Sequence, residues 1–232
     1  MPAKLSTGIN YLDSLLEGGL TEGRVYVVSG PPGSGKTTFG MQFLSAGARL
    51  GDRGLFVCTS SKPKSVVADV AQFNFNIIEN YKAKRILFLD MTEKTPFPSK
   101  ERRKYMFYLE RINEVVATMN VKRVVIDSIG PLVMHLKKDQ MAEEEIYLLL
   151  QGLQDIKATF IITSEMNNFR DYGPEDFYSS GLIYLHHFLQ EKEMVRAIQV
   201  MKMRGSKVDS DMRELQFNSD GLSVSSKLIM VE

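Results

Sequence analysis

Short apolar runs alternate with longer segments in which apolar residues recur every three or four positions along the first two thirds of the chain. The short runs are rich in Val, Ile and Phe and predict buried strands, whereas the longer spacing predicts amphipathic helices. Strands are predicted over 24–29, 54–59, 85–89, 122–127 and 158–163, and helices over 9–16, 36–50, 63–73, 100–119 and 141–156. This alternation is typical of an α/β fold with a mainly parallel central sheet flanked by helices.

The pattern changes after residue 180. Four strand-like segments with short turns follow, over 181–189, 196–203, 214–217 and 222–225. Asn218, Ser219, Asp220 and Gly221 lie between the last two and are typical of the turn of a β-hairpin. The chain is therefore predicted to end in an antiparallel C-terminal extension. The segment 130–139 has no clear periodicity, and its structure is left open.

Length and composition fit a single domain over residues 1–232. The chain is 44% hydrophobic, enough for one large core, and its formal net charge is +1, so no global field attracts nucleic acid or an anionic membrane. No apolar run approaches the ~18 residues that span a bilayer, and the N-terminus lacks the apolar segment of a signal peptide. Cys58 is the single cysteine and allows no internal disulfide, which favours a cytoplasmic location.

Residues 30–37 match the complete phosphate-loop pattern of P-loop proteins. The motif follows a predicted strand and opens a predicted helix, so its backbone N–H groups and the helix N-terminus favour bound phosphate. Lys36 is expected to reach the β- and γ-phosphates of ATP, and the hydroxyl of Thr37 to bind Mg²⁺. The expected nucleotide-binding residues here are Pro32, Gly33, Ser34, Gly35, Lys36, Thr37 and Thr38.

Asp127 is the predicted second half of the metal site. It ends the apolar strand over 122–127, and a carboxylate at the carboxyl end of a neighbouring parallel strand is well placed to hold phosphate-bound Mg²⁺. The alternative is that Asp127 caps the following turn.

Several stretches resemble the KaiC-type branch of the RecA/RadA superfamily of P-loop ATPases. They are the lead-in Ser6-Thr7-Gly8-Ile9-Asn10-Tyr11-Leu12-Asp13 with Gly18-Gly19-Leu20, the phosphate loop, Ile126-Asp127-Ser128, Ile161-Ile162-Thr163-Ser164-Glu165 and Lys202-Met203-Arg204-Gly205-Ser206. They occur in the family's order over nearly the whole chain. The resemblance implies a RecA-like fold and a homo-oligomeric ring, often a hexamer, with ATP at the subunit interfaces.

The same resemblance implies roles for residues outside the phosphate loop. Lys202 and Arg204 would reach the γ-phosphate of the neighbouring subunit's nucleotide, as an arginine finger does. Asp220 matches a position that helps to hold the nucleotide. The alternatives are two outward-facing charges on a half-exposed strand for Lys202 and Arg204, and an ordinary turn residue for Asp220.

The chain departs from the family where a pair of glutamates normally polarises the attacking water. Ser60 and Ser61 stand at these positions, and a serine hydroxyl does not replace a carboxylate as a base. We therefore expect slow hydrolysis, with Glu165 as the nearby carboxylate able to compensate, although its position resembles a γ-phosphate sensor. A local alternative is that the two serines cap the helix that begins at Pro63.

Other polar groups are interpreted as structural or surface residues. His135, His186 and His187 form no spaced metal cluster with Cys58. The basic run at 100–104 is assigned to a solvated helix face, and the segment 167–179, where RecA-type proteins carry a ligand-contacting loop, has a net acidic balance.

Three functions remain open at the level of sequence. The first is an oligomeric Mg²⁺–ATPase with slow hydrolysis. The second is a nucleotide-sensing regulatory or scaffold protein with little or no turnover and an unidentified protein partner. The third, disfavoured by the charge balance, is a recombinase-like DNA-binding ATPase.

Overall fold

The computed structural model describes residues 3–92, 104–133, 140–166 and 172–230. The strands are β1 (Lys4–Leu5), β2 (Leu20–Thr21), β3 (Val25–Gly30), β4 (Arg53–Cys58), β5 (Ile86–Asp90), β6 (Val121–Asp127), β7 (Thr159–Glu165), β8 (Gly181–Gln190), β9 (Glu193–Met203), β10 (Arg213–Asn218) and β11 (Gly221–Leu228). The helices are α1 (Leu12–Leu15), α2 (Lys36–Arg49), α3 (Pro63–Val70), α4 (Ile77–Lys82), α5 (Lys104–Met119), α6 (Gly130–Val133), α7 (Gln140–Asp155) and α8 (Pro174–Tyr178).

One nine-stranded sheet organises the described residues, in the order β11-β10-β9-β8-β3-β7-β6-β4-β5. The six strands from β8 to β5 in this order are parallel, and β9, β10 and β11 continue the sheet with antiparallel pairing. The predicted α/β fold with a C-terminal antiparallel extension is therefore confirmed. The phosphate loop leaves β3, near the middle of the sheet, where neighbouring strands deliver their C-terminal residues to the same edge.

The core consists of one apolar layer on each face of the sheet. Alternate residues of β3 enter different layers, with Tyr26 and Val28 beside α2 residues and Val25 and Val27 beside residues of α5 and α7. Because side chains alternate along a strand, a central strand covered on both faces must be apolar at nearly every position. This is why the short runs of the sequence contain so few polar residues.

A buried arginine fastens the N-terminal segment to the sheet. Arg123 on β6 is 1% exposed at its side chain and forms an ion pair with Asp52 at 3.1 Å. Its guanidinium also donates to the carbonyl oxygens of Ser6 and Phe43, at 2.7 and 3.1 Å. Burial lowers the pKa of Arg123, and the hydrogen bond to Asp52 opposes that effect. The buried guanidinium of Arg123 therefore holds Asp52, the chain at Ser6 and helix α2 at Phe43 together.

Hydrogen bonds hold the lead-in segment in a loop. Its helix is therefore shorter than predicted. Its predicted helix over 9–16 is reduced to the single turn α1, because Asp13 accepts from the backbone N–H and hydroxyl of Thr7 and from the hydroxyl of Ser6. These short-range bonds hold the preceding chain in a loop.

Two short helices were not predicted, because each contains fewer residues than periodicity can identify. They are α4, which follows Asn76 in the left-handed region at φ 49°, and α8. In the open segment, residues 130–133 form α6, and the rest of that segment lies outside the described residues. His135 and positions 100–103 of the basic run also lie outside them.

No helix within the described ranges combines the length and apolar character needed to cross a membrane.

Candidate functional site

The phosphate loop connects β3 to α2 and depends on glycine at two positions. Gly33 and Gly35 have φ values of 76° and 108°, a region that residues with a Cβ rarely adopt. A Cβ on Gly35 would also lie 2.8 Å from the ring of Phe217. Both positions therefore require glycine for the backbone to turn into the helix.

Lys36 lies inside the curve of this loop. Its Nζ donates to the carbonyl oxygens of Gly30 at 2.8 Å and Pro31 at 3.0 Å. Burial lowers the pKa of Lys36, whereas the nearby carboxylates of Glu165 and Asp127 act in the opposite direction. The ammonium is thus a partly desolvated positive charge at the first turn of α2, where it can interact strongly with an anion.

Thr37 and Asp127 meet across the edge of the sheet. The Thr37 hydroxyl donates to Asp127 Oδ2 at 2.8 Å, and the Thr163 hydroxyl donates to Asp127 Oδ1. A hydroxyl and a carboxylate are hard oxygen ligands of the kind that Mg²⁺ prefers, so the residues present fit this metal. Cys58 lies nearby at the end of β4, and burial together with Asp90 and Asp127 raises its pKa to about 12. Its thiol therefore stays protonated.

Lys36, Thr37 and Asp127 line one cavity of about 370 Å³. Its lining residues are Pro32, Gly33, Gly35, Lys36, Thr37, Thr38, Ser60, Ser61, Asp127, Ser128, Glu165 and Phe217. The predicted phosphate-loop residues, the strand-end aspartate, the two serines and Glu165 are thus brought together. Ser34 is the exception, because it is fully buried, and its hydroxyl has no hydrogen-bond partner among the described residues.

Ser60 and Ser61 are exposed at the rim of the cavity. The Ser60 hydroxyl donates to the carbonyl oxygen of Asp127 at 3.3 Å. The expected alternative, that the two serines cap the next helix, is wrong. The N-cap of α3 is Lys62, no side chain caps that helix, and Pro63 fills its first turn without needing a hydrogen-bond acceptor.

A second cavity of about 380 Å³ adjoins the first and shares Thr38 and Phe217 with it. Asp69, Gln72, Phe73, Asn218 and Ser219 complete its lining. The rings of Phe73 and Phe217 are 6.3 Å apart between centroids and tilted by 35°. Two aromatic faces beside several polar groups suit a flat, polar heterocycle.

Phe217 was not identified from the sequence, although it contacts both cavities. Its position after a strand-like alternation indicated only a hairpin strand. Arg196 also approaches the loop, with its guanidinium 5.0 Å from the centroid of the Phe217 ring and its Nε 3.5 Å from the carbonyl oxygen of Gly33. The antiparallel extension thus covers one side of the phosphate loop.

Lys202 and Arg204 do not line the cavity of their own chain. Lys202 Nζ donates to the carbonyl oxygens of Asp176 and Phe177, and Arg204 donates to that of Phe177 at 3.3 Å. Asp220 also lies outside both linings, where it accepts a hydrogen bond of 2.9 Å from the side chain of Asn74. Within one chain, Asp220 therefore helps to hold the β10–β11 turn.

His186 fits the structural interpretation. His186 is buried, contacts Gln199 Oε1 at 3.0 Å, and has its pKa lowered by burial. Among the described residues, no group of three or more His, Cys, Asp or Glu side chains is arranged to hold a metal ion.

A larger hollow of about 960 Å³ lies between the β8–β9 and β10–β11 hairpins. It is lined by residues such as Met194, Leu215 and Met230, and it contains neither the phosphate loop nor the strand-end carboxylate. Size alone does not make it the candidate site, because convergent polar groups define the smaller cavity.

A family model and several known proteins match most of this chain in sequence. A family model described as "ATPase: KaiC" matches residues 5–228. The circadian clock oscillator protein KaiC of Parasynechococcus marenigrum is 31% identical over 214 residues, which cover 88% of this chain and 41% of that protein. The UPF0273 protein PH0284 of Pyrococcus horikoshii is 30% identical over 217 residues, covering 89% of this chain and 87% of that protein.

The fold is similar to that of a solved archaeal structure. The KaiC-like protein PH0186 of Pyrococcus horikoshii superposes with a TM-score of 0.84 at 28% sequence identity, covering 97% of this chain and all of that one. By contrast, the match spans only about two fifths of the length of the clock proteins, at 41% for the Parasynechococcus protein.

Proposed function

The chain belongs to the KaiC family of ATPases, and from that premise we propose that it binds Mg²⁺–ATP between the subunits of a cytoplasmic homo-oligomer and hydrolyses it slowly. The single observation that carries the proposal is the convergence of Lys36, Thr37 and Asp127 in one cavity at the end of β3. We assign all of residues 1–232 to one domain of this kind.

Lys36 and the first turn of α2 would hold the phosphates. Bound phosphate oxygens would take the place of the carbonyl oxygens of Gly30 and Pro31 as acceptors for the Lys36 ammonium. Because burial already disfavours an uncompensated charge there, an anion is a favourable partner. Thr37 and Asp127 would hold the Mg²⁺, which would supply positive charge against the terminal phosphates.

The adjoining cavity would take the base of the nucleotide. It continues directly from the phosphate loop through Thr38, and the ring of Phe217 forms a wall common to both cavities. A purine would lie against Phe73 and Phe217, with Asp69 and Asn218 able to hydrogen-bond its polar edge. Such an arrangement separates phosphate binding from base binding along one continuous channel.

Slow hydrolysis follows from the chemistry of the cavity rim. Ser60 and Ser61 offer no basic group to an attacking water molecule, and general-base help is worth about 10²–10⁴ in rate. Glu165 lines the same cavity at the end of β7 and is the carboxylate that we assign to residual water activation or γ-phosphate sensing.

Assembly into a ring, which we propose to be hexameric, is supported by the position of Lys202 and Arg204 outside the cavity of their own chain. Arg204 is exposed, so its charge could reach the nucleotide of a neighbouring subunit. An arginine that completes a phosphate site from another subunit accelerates phosphoryl transfer in other P-loop proteins.

A second function is favoured by the same serines. If turnover is negligible, bound ATP would act as a ligand that stabilises the assembled form, and the protein would be a nucleotide-sensing regulator or scaffold. A DNA-binding ATPase has no such support, since the formal net charge is only +1.

The test is to measure particle mass by light scattering with and without Mg²⁺–ATP while phosphate release is followed in the same sample. An increase in mass with slow phosphate release is expected, and an increase without any release would favour the scaffold. Lys36→Ala is the control and should weaken ATP binding by at least about tenfold. Retained affinity in this variant would contradict the role of Lys36, and single-strand DNA binding that weakens with salt would favour the third function.

A further inference from the structure

The short helix α8 is anchored to the floor of the nucleotide site. Glu175 and Asp176 are 9% and 2% exposed, and each accepts a hydrogen bond from a buried serine. Ser164 Oγ donates to Glu175 Oε1 at 2.6 Å, and Ser29 Oγ donates to Asp176 Oδ1 at 3.3 Å. Ser29 and Ser164 face each other across β3 and β7, one position before Gly30 and Glu165. The inner face of α8 therefore contacts the strand ends on which the site is built.

The outer end of α8 binds the side chains of Lys202 and Arg204. Lys202 Nζ donates to the carbonyl oxygens of Asp176 at 2.9 Å and Phe177 at 2.7 Å. Arg204 donates to the carbonyl oxygen of Phe177. Among the described residues, these side-chain contacts use two of the three ammonium hydrogens of Lys202 and one nitrogen of the Arg204 guanidinium.

Asp176 lies at the junction of these two sets of contacts. Its side chain accepts from Ser29 and, at 2.8 Å, from the backbone N–H of Gly173, whereas its backbone carbonyl accepts from Lys202. A five-residue helix does not form stably alone, so the position of α8 depends on such anchors. Asp176 therefore contacts both the strand end at Ser29, through its side chain, and the ammonium group of Lys202, through its backbone carbonyl.

We propose that Asp176 is a positioning residue, which couples nucleotide binding in its own subunit to the placement of Lys202 and Arg204 for the neighbouring one. The inference rests on the proposed function, because it requires ATP at the phosphate loop. Glu175 supports the same link through Ser164. Nucleotide binding that fixes the ends of β3 and β7 would also fix the position of α8 and, through it, the side chains of Lys202 and Arg204.

Hydrogen–deuterium exchange of the full-length protein, with and without Mg²⁺–ATP, tests the coupling even if turnover is negligible. The informative amides are those of Ser179, which donates to the Glu175 carbonyl, and Arg204, which donates to the Ser180 carbonyl. ATP should slow their exchange by about threefold or more in the wild-type protein. In the Ser29→Ala/Ser164→Ala variant, this slowing should be lost although ATP still binds. Persistence of the full effect in that variant would overturn the proposal.

Glu143→Gln is the matched control. Glu143 accepts a hydrogen bond from Tyr178 of α8 at 3.3 Å, but it contacts the exposed side of the helix. This variant should keep the ATP-dependent slowing, whereas Asp176→Asn should lose at least half of it. An equal loss in both variants would mean that α8 is merely loosened, and the coupling through Asp176 would be rejected.

A binding assay separates this inference from the proposed function. Affinity for a fluorescent ATP analogue should change by less than about threefold in Asp176→Asn, because the residue does not line the cavity. If the wild-type protein bound no nucleotide, both proposals would fail. If it bound nucleotide while the exchange of Ser179 and Arg204 stayed unchanged, only the coupling would be refuted.

Discussion

The ring of Phe217 packs directly against Gly35, so closely that a Cβ at position 35 would lie 2.8 Å from its Cζ atom. The two residues belong to the hairpin of the antiparallel extension and to the phosphate loop, respectively. A C-terminal strand thus forms part of the wall of a site whose recognisable motif lies near the N-terminus.

Phe217→Ala should weaken ATP binding by about 5- to 50-fold, because one stacking face for the base is lost. Affinity for inorganic tripolyphosphate should change much less, since the contacts of Lys36 and Thr37 remain. Competition of both ligands against a fluorescent nucleotide measures the difference. Met194→Ala serves as control, because this exposed residue lies outside both cavities of the site. Equal losses for the two ligands would argue against a base cavity at Phe217.

Asp127→Asn should remove most of the Mg²⁺ dependence of ATP binding. The amide still accepts a hydrogen bond from Thr37, but it lacks the negative charge that a divalent cation requires. Titration of ATP with Mg²⁺ and with EDTA should therefore give similar affinities in the variant, and a tighter Mg²⁺ form in the wild-type protein. Thr163→Val is a useful comparison, because it removes the other hydroxyl that contacts Asp127. Unchanged Mg²⁺ dependence in Asp127→Asn would assign the metal to other groups.

Ser60→Glu should increase the rate of phosphate release by about 10- to 100-fold, because a carboxylate would then lie at the rim of the cavity beside Asp127. Steady-state turnover at saturating ATP is the measurement. Ser65→Glu, on helix α3 outside the cavity lining, is the control for added negative charge. Fast turnover of the wild-type protein that is abolished by Glu165→Gln would instead assign the base to Glu165.

Asp52→Asn should reduce the free energy of unfolding by about 3–5 kcal/mol, because it leaves the buried guanidinium of Arg123 without its charged partner. Lys122 contacts the same carboxylate at 3.2 Å but is 52% exposed at its side chain. Lys122→Ala should therefore cost less than about 1 kcal/mol. Urea denaturation of the two variants gives a direct comparison. Equal effects would show that the buried pair contributes no more than a surface one.

Asp176 should make stability depend on pH. Burial raises the pKa of this carboxyl from 3.8 to about 6. Between these values the folded protein binds a proton that the unfolded chain does not, so the contribution is fully present below pH 3.8 and is lost as the pH rises through about 6. Asp176→Asn should remove this decrease in stability between pH 4 and pH 7, as measured by thermal unfolding at several pH values. The exposed Asp155→Asn is the control and should retain the wild-type profile.

Much of the fold was predictable because the required signals are local. Runs such as Val25, Val27 and Val28 identify a strand that is covered on both faces, and their order with the helices implies parallel pairing. The short helices α4 and α8 were missed, since a single turn of five or six residues is too short for periodicity and depends on tertiary contacts.

Some features of the candidate site could also be predicted from the sequence, and others could not. The phosphate loop could be predicted because its glycines, Lys36 and Thr37 must be close in sequence to surround one phosphate group. The capping interpretation of Ser60 and Ser61 was wrong, because it assumed a hydrogen bond that Pro63 makes unnecessary. Roles for Asp127, Glu165, Lys202, Arg204 and Asp220 stay predictions that the experiments above address.

The sequence by itself determined the parallel strands, the longer helices and the phosphate loop, because each depends on neighbours only a few positions away. Only the tertiary structure decided that Phe217 packs against Gly35 of the phosphate loop and that Arg123 is buried beside Asp52. It also decided that Asp176 of α8 contacts both Ser29 and Lys202. These contacts join residues far apart in the chain, and packing of the whole sheet brings them together. No local pattern of hydrophobicity or spacing encodes which distant side chain fills a given space.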